Sequence, residues 1–405
     1  MKKLPLLATR SACTACMACV ASCKKHAISK CLDTNGHWHI RVDEALCVKC
    51  GMCERKCPIA SHSVDAVNNL KLSEPFKAWN SNQTQRSQGT SGGVFAALAQ
   101  HIIEQDGIVI GARMKNNDCK HVAIYSFEEI QFLQGSKYIY SSLDGIYDTI
   151  EENLNKHRKV LFSGLPCQTA GVISFFKNHK NRDFLFTIDL VCGGIPSELL
   201  KKRFLEEHPG ADIISFRQKD KYQLLYKQNE KIINVGSHNL MISGFLSGLA
   251  VRKSCMSCRF AGTHRSTDIT LGDFWQNSAS EEHKKGVSLL LVHTQRGLDL
   301  VTNSTIEKES VEWSQFLPYN PRIAIGGSSV QRLPRLEYKV GSMYKHLPKY
   351  FFKVMYSSEF KKYDILSLLY LTYKKMMQII IKKQRDNEIR KILNQDNLNN
   401  SHNIR

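Results

Sequence analysis

Residues 13–23 read CTACMACVASC and residues 47–58 read CVKCGMCERKCP. Cysteine thus recurs as Cys13-x2-Cys16-x2-Cys19-x3-Cys23 and again as Cys47-x2-Cys50-x2-Cys53-x3-Cys57-Pro58. A cubic 4Fe-4S cluster needs four thiolates, and where two clusters share one fold the fourth Cys of each run ligates the other cluster. The crossing assigns Cys13, Cys16, Cys19 and Cys57 to one cluster, and Cys47, Cys50, Cys53 and Cys23 to a second. Structural zinc favours paired two-cysteine hooks instead of three equally spaced thiols. Disulfides belong to oxidising compartments, and Lys2-Lys3-Leu4-Pro5-Leu6-Leu7 has too short an apolar core for a secretory signal. The expected location is the reducing cytoplasm.

The residues between the runs suit a small dicluster module over 1–66. Ala27 to Asp33 reads as a strand, Asn35-Gly36 as a type I′ turn, and Trp38, Ile40 and Val42 alternate as a returning strand should. Lys24 follows Cys23 where proline follows Cys57, a departure that does not touch ligation.

A length of 405 residues leaves room for a larger second domain. The polar stretch Asn68 to Gln88 reads as a linker, so the expected boundaries are 67–88 for the join, 89–340 for the second domain and 341–405 for a tail. The paired cysteine runs are the only internal repeat. Ser91-Gly92-Gly93 opens a helix with Phe95, Leu98, Ala99, Ile102 and Ile103 at helical spacing, and Gly107 to Ala112 reads as a buried strand. A glycine turn before a helix is either an anion seat or simply a tight turn.

Lys159 to Phe162 is a short apolar strand ending in Ser163-Gly164-Leu165-Pro166-Cys167; a helix from Gln168 to Lys177 follows, then a strand from Phe184 to Val191 ending at Cys192-Gly193-Gly194. This order implies a βαβ unit with parallel strands. Cys167 and Cys192 then share one sheet rim, the edge where open α/β sheets bind ligands. Cys255-x2-Cys258 adds two thiols, enough for a third 4Fe-4S cluster; buried loop cysteines and a zinc hook are the alternatives. Cys31 and Cys119 are left as small apolar fillers.

Thr90-Ser91-Gly92-Gly93-Val94-Phe95, Gly135-Ser136-Lys137-Tyr138, Gly164-Leu165-Pro166-Cys167-Gln168, Asp189-Leu190-Val191-Cys192-Gly193-Gly194, Cys255-x2-Cys258 and Asp268-Ile269-Thr270-Leu271-Gly272-Asp273-Phe274-Trp275 occur in one order. In that order the chain, from residue 10 to about 330, resembles the family of coenzyme F-420 hydrogenase/dehydrogenase beta subunits. The resemblance implies an α+β ferredoxin-like module ahead of a larger α/β flavin and iron-sulfur domain, with bound FAD. Cys167, Cys192, Cys255 and Cys258 would ligate the domain's own 4Fe-4S cluster, and Ser91, Gly92, Gly93, Gly135, Ser136, Lys137 and Tyr138 would sit at the flavin. Lys137 is either a phosphate partner or a solvated loop lysine. Asp268 and Asp273 read as turn-orienting residues more than as flavin contacts. Gly193 stands where many relatives have histidine, and Leu165 where many have threonine.

The implied activity is oxidoreduction: a hydride-type organic substrate, F-420 or another, exchanges electrons at FAD, and three clusters pass them to ferredoxin, flavodoxin or another redox subunit. The alternatives are a non-catalytic electron relay and, from relatives among bacterial surface-polysaccharide genes, a sugar or lipid-linked reductase. The 56 Lys and Arg against 37 Asp and Glu give a net charge of +19, which favours acidic partners. Scattered basic residues and the lack of an RNA or DNA-reading motif argue against nucleic acid. From Glu359, Ile365, Leu368, Leu369, Met376, Ile379 and Ile380 recur near helical spacing beside lysine pairs. Such a helix lies at the inner membrane face, docks a partner or packs on its own domain; beyond Gln384 disorder is expected.

Overall fold

The computed structural model describes residues 4–61, 73–219, 221–237, 239–247, 250–260, 262–263, 265–275, 281–324, 379, 382–383 and 385–394. Thirteen strands are present among them: β1 (Ile28–Leu32), β2 (Trp38–Val42), β3 (Glu74–Asn80), β4 (Ile108–Lys115), β5 (Asp118–Ile124), β6 (Val160–Gly164), β7 (Leu185–Leu190), β8 (Asp212–Gln218), β9 (Lys221–Gln228), β10 (Lys231–Asn234), β11 (Ile269–Asp273), β12 (Ser288–Val292) and β13 (Ile306–Ser310).

β1 and β2 form the hairpin of the N-terminal module. Its turn is not the two-residue type I′ expected from Asn35-Gly36. The Gly36 N–H donates to the Asp33 carbonyl at 2.9 Å and Gly36 alone takes a positive φ of 74°, so the loop is a type I turn closed by a left-handed glycine. The Asp33 carboxylate accepts from the Asn35 and His37 N–H groups and fixes this form. The turn tip docks on the second domain: a Cβ at Gly36 would stand 2.4 Å from Ser197 Oγ.

The large sheet runs β13-β3-β12-β11-β7-β6-β4-β5. β4, β6, β7 and β11 are parallel, and the strands flanking them on either side pair antiparallel. The parallel centre carries the near-continuous apolar runs that burial on both faces demands. One face packs the helices Val94–Glu104 and Gln295–Thr302; the other packs Ile146–Asn155 and Pro166–Phe176. β8, β9 and β10 make a separate antiparallel sheet between β7 and β11 in sequence.

Two expected boundaries are corrected. The 67–88 stretch contributes β3, between β12 and β13, and the helix Gln83–Gln88. Its polar residues read as a loop because they serve as caps: Asn82 Oδ1 accepts the Gln85 N–H. Second, the chain beyond Gln384 is not disordered throughout. Residues 385–394 are helical, and Ile389 and Ile392 are buried in a cluster with Trp313 and Phe316. The basic helix expected over 359–383 lies outside the described residues except for Ile379, Lys382 and Lys383, as do 325–340 of the second domain. Among the described residues no helix is long and apolar enough to cross a membrane.

The N-terminal module is no separate lobe. Ala15, Cys16, Met17 and Ala18 share a buried cluster with Ile108, Tyr147, Ile150, Phe162 and Val172 of the second domain. The module's first cysteine loop is thereby part of the core that covers one face of the large sheet.

Candidate functional site

The two cysteine loops repeat one backbone. Ala15 and Met17 have φ of 53° and 64°, and Lys49 and Gly51, at the same places in the second run, have 56° and 71°. Left-handed residues at matched positions wind the two loops alike, with Cys13, Cys16 and Cys19 buried in the first and Cys53 buried but Cys50 exposed in the second. Cys13, Cys16, Cys19 and Cys57 line one small cavity with Pro58 and Ile59. Cys53 neighbours Cys23 and Cys50, and Cys23 and Cys47 are half-buried. Burial pushes the Cys16 thiol up to about 12 and raises Cys13 and Cys53 as well.

The third set gathers beside the parallel strands. Cys167 opens the helix Pro166–Phe176, Cys192 follows β7, and Cys255 lies in the helical turn Lys253–Met256. Burial and then the neighbouring Cys258, Cys192 and Cys255 drive the Cys167 thiol far above its ordinary range. Backbone N–H groups point at two of these sulfurs: Gly194 to Cys192 Sγ at 3.3 Å and Ile195 to Cys255 Sγ at 3.4 Å. Among the described residues no three His, Cys, Asp or Glu side chains converge on one point that would hold a single ion.

A cavity of about 520 Å³ opens at the C-terminal ends of β4, β6, β7 and β11, the rim where open α/β sheets bind ligands. The volume is in the range of small-molecule and cofactor sites. Ser91, Gly93, Gly135, Ser136, Lys137 and Tyr138 all line it. Thr90 Oγ1 and Ser136 Oγ, 3.2 Å apart, tie the two loops together. Gly93 caps its helix with φ 75°. Gly92, expected among them, is not in the wall: a Cβ there would meet the Ala78 carbonyl at 2.5 Å and the Ser288 nitrogen at 2.7 Å, so it lets the turn pack on the sheet.

Lys137 is neither solvated nor reaching into the cavity alone. Its Nζ donates to the carbonyls of Leu133 and Gln134 at 2.8 and 2.6 Å, and burial lowers it to about 8. Asp268 is structural, as its sequence context suggested: it accepts from the Thr187 N–H and pairs with Arg296. Asp273 instead lines the cavity and holds Arg217 at 2.5 Å.

Sequence reasoning missed the cationic and aromatic wall. Arg217, which stacks 5.1 Å from the Trp275 ring centre, lines the cavity with Tyr222, Phe245 and Arg322. Arg322 fills the space beside Gly193, where a Cβ would stand 2.6 Å from its Nη1, and it donates to the Cys192 carbonyl at 3.2 Å. No local pattern marks these arginines; only the β8–β9 sheet brings Arg217 to the rim. Cys119 is buried as expected but also borders the cavity. Cys31 is half-buried and lies 3.2 Å from His39 Nε2.

The cavity and the third thiol set share Cys192. The third set in turn meets the first through the helix Pro166–Phe176: a Cβ at Gly171 would lie 2.9 Å from Cys16 Sγ.

The chain is thus a mixed α/β protein whose large helix-covered sheet carries a cavity and a group of thiols on one rim. Residues 157–316 match the family described as the C terminus of the beta subunit of coenzyme F420 hydrogenase/dehydrogenase. The chain is 29% identical over 169 residues to a coenzyme F420-dependent sulfite reductase of Methanocaldococcus jannaschii, covering 40% of this chain and 26% of that protein. It is 24% identical over 190 residues to the F subunit of the F(420)H(2) dehydrogenase of Methanosarcina mazei, covering 44% of this chain and 53% of that one. The chain thus spans about a quarter and a half of these relatives. A chain of the F420-reducing [NiFe] hydrogenase complex from Methanosarcina barkeri aligns with a TM-score of 0.45 at 16% identity, over 70% of this chain and 96% of that one.

Proposed function

We propose that this chain is an iron-sulfur flavoprotein oxidoreductase that moves electrons between an organic hydride donor or acceptor in the large cavity and a redox partner at the N-terminal module. The observation that carries the reading is continuity. Cys192 belongs to both the cavity wall and the third thiol set, and Gly171 brings the helix of Cys167 against Cys16 of the first set. The first and second sets meet at Cys19 and Cys53, which pack together on Ile28.

The residues suit the groups the reading requires. The thiols of Cys13, Cys16, Cys19, Cys53, Cys167, Cys192 and Cys255, raised by desolvation, are poor anions by themselves, and iron would supply the positive charge that keeps them deprotonated. N–H groups aimed at Cys192 and Cys255 stabilise sulfur that carries more charge, which tunes a cluster's potential. When bound, FAD exchanges electron pairs with an organic substrate and single electrons with a cluster. For it the chain offers the glycine turn at Gly93, the Gly135–Tyr138 loop and the aromatic and arginine wall. The Tyr138 ring stacks on Phe245 at 4.5 Å and stiffens that wall. Arg217 and Arg322 suit an anionic substrate or the flavin's phosphates. F-420 is one candidate substrate, drawn from the relatives' names.

Electrons would enter or leave at the second set. Cys50 is exposed, and Leu46, Val48 and Met52 around it are exposed apolar side chains suited to docking ferredoxin, flavodoxin or another redox subunit. None of the fourteen cysteines is joined in a disulfide, in accord with the cytoplasmic location we propose.

Anaerobic purification with iron, sulfide and flavin quantitation on one sample tests the reading. About twelve irons and one flavin per chain are expected from three 4Fe-4S sites and one FAD. About eight irons without flavin would move the chain to a relay subunit that turns over no substrate.

A further inference from the structure

One buried cation stands between the first and third thiol sets with no carboxylate partner among the described residues. Arg252 is 4% exposed. Its main chain belongs to the third set: its N–H donates to the Ile195 carbonyl at 2.9 Å and its carbonyl accepts from the Cys255 N–H at 3.0 Å. Its side chain crosses to the N-terminal module, where Nη1 donates to the Thr14 carbonyl inside the first cysteine loop. The guanidinium lies 5.6 Å from the Tyr140 ring centre, and the Tyr140 hydroxyl donates to the next carbonyl of that loop, Ala15, at 3.1 Å. Nε and Nη2 have no hydrogen-bond partner among the described residues.

A guanidinium is kept in a protein interior when anions nearby repay its lost hydration. The anions that the described residues offer Arg252 are sulfurs. Its charge acts on Cys13 on one side and on Cys255 and Cys167 on the other. The imidazole close to it, His37, is buried and held neutral by burial and by Arg252 itself. A cluster bound by four thiolates is an anion, and reduction makes it more negative.

We propose that Arg252 is the shared counter-charge of the first and third iron-sulfur sites, a positioning residue that raises both their potentials together. The inference rests on the reading of both thiol sets as cluster ligands. Transfer between them balances at Arg252: one site loses the electron the other gains, no proton moves, and the negative charge facing the guanidinium is unchanged in total. A cation tied to one site alone would instead favour that site and oppose onward transfer. Placement between the two lets one residue stabilise both reduced forms.

The test is an EPR-monitored redox titration of the full chain, purified anaerobically, as wild type, Arg252→Lys and Arg252→Gln, with iron and sulfide measured on the same samples. The expected result is a fall in two of three midpoint potentials in Arg252→Gln, the third unmoved, and both near wild type in Arg252→Lys. Loss of iron from Arg252→Gln alone, with Arg252→Lys fully loaded, also supports the charge. Full iron with unmoved potentials in Arg252→Gln overturns the proposal, as does equal iron loss in both variants, which would make the guanidinium a docking element only. A wild-type chain without iron would instead overturn the oxidoreductase reading along with it.

Discussion

The phenol of Tyr147 donates to the carbonyl of Cys16 at 2.6 Å, and both residues are buried. Tyr147 stands on the helix Ile146–Asn155 of the second domain, so this bond fastens the first cysteine loop to the face of the large sheet. Tyr147→Phe keeps the ring packing on Phe175 and Phe176 but leaves a buried carbonyl unmatched. The expected loss is about 1–3 kcal/mol. Thermal denaturation checks the stability, and the rate of iron release to a chelator is expected to rise because the loop is less firmly seated.

Gly171 sets local preference against tertiary packing. Alanine is favoured over glycine within a helix by about 1 kcal/mol. Here its Cβ would stand 2.8 Å from Cys16 Cβ and 2.8 Å from the Tyr147 hydroxyl, and overpacking of that kind costs about 1–3 kcal/mol. Gly171→Ala is therefore expected to lower the melting temperature and the iron content together. A variant more stable than wild type with full iron would place the Cys16 loop elsewhere.

Much of this arrangement was legible where chemistry or periodicity is local. The two cysteine runs stand out through their repeated spacing, and the matched left-handed residues Ala15/Lys49 and Met17/Gly51 give the two loops one backbone. Apolar runs such as Val160–Phe162 and Leu185–Ile188 mark strands buried on both faces. β3 was read as linker because Pro75 and the following Asn and Gln residues resemble loop punctuation, although Phe76 and Ala78 alternate toward the core. The docking of the N-terminal module rests on Ala15, Met17 and Ala18, small apolar residues with no pattern of their own. Arg217, Arg252 and Arg322 acquire meaning only from what the fold brings to them.

Asp268 and Asp273 share one motif and are expected to separate on substitution. Asp268 is 2% exposed; burial alone would raise its carboxyl, but hydrogen bonds and charge from Arg296, with bonds from Thr187 and Thr294, hold it below its ordinary value. Asp268→Asn breaks a buried pair and is expected to cost about 3–5 kcal/mol, read by chemical denaturation. Asp273→Asn removes the partner of Arg217 at the cavity wall. Its expected effect is on flavin and substrate affinity measured by fluorescence titration, with a smaller loss of stability than at Asp268. Equal destabilisation by both would make Asp273 structural too.

His293 gives the chain an acid-sensitive core. It bridges Ser73 Oγ and Thr270 Oγ1, each at 2.8 Å, and burial, then the charge of Arg265, lowers it from 6.5 to about 3. The folded chain holds the ring neutral while the unfolded chain protonates it near 6.5, so below that pH the unfolded state binds more protons. The stability contribution is present above pH 6.5 and is lost as the pH falls toward 3; at about pH 5 the loss is about 2 kcal/mol. His121, lowered to about 4 by burial, acts in the same direction. Denaturation at about pH 7 and about pH 5 of wild type and His293→Gln tests this, because acid loss of iron is common to both proteins and cancels in their difference. The variant is expected to be less stable at about pH 7 and to lose about 2 kcal/mol less than wild type on going to about pH 5; parallel losses would mean that His293 is protonated in the folded chain.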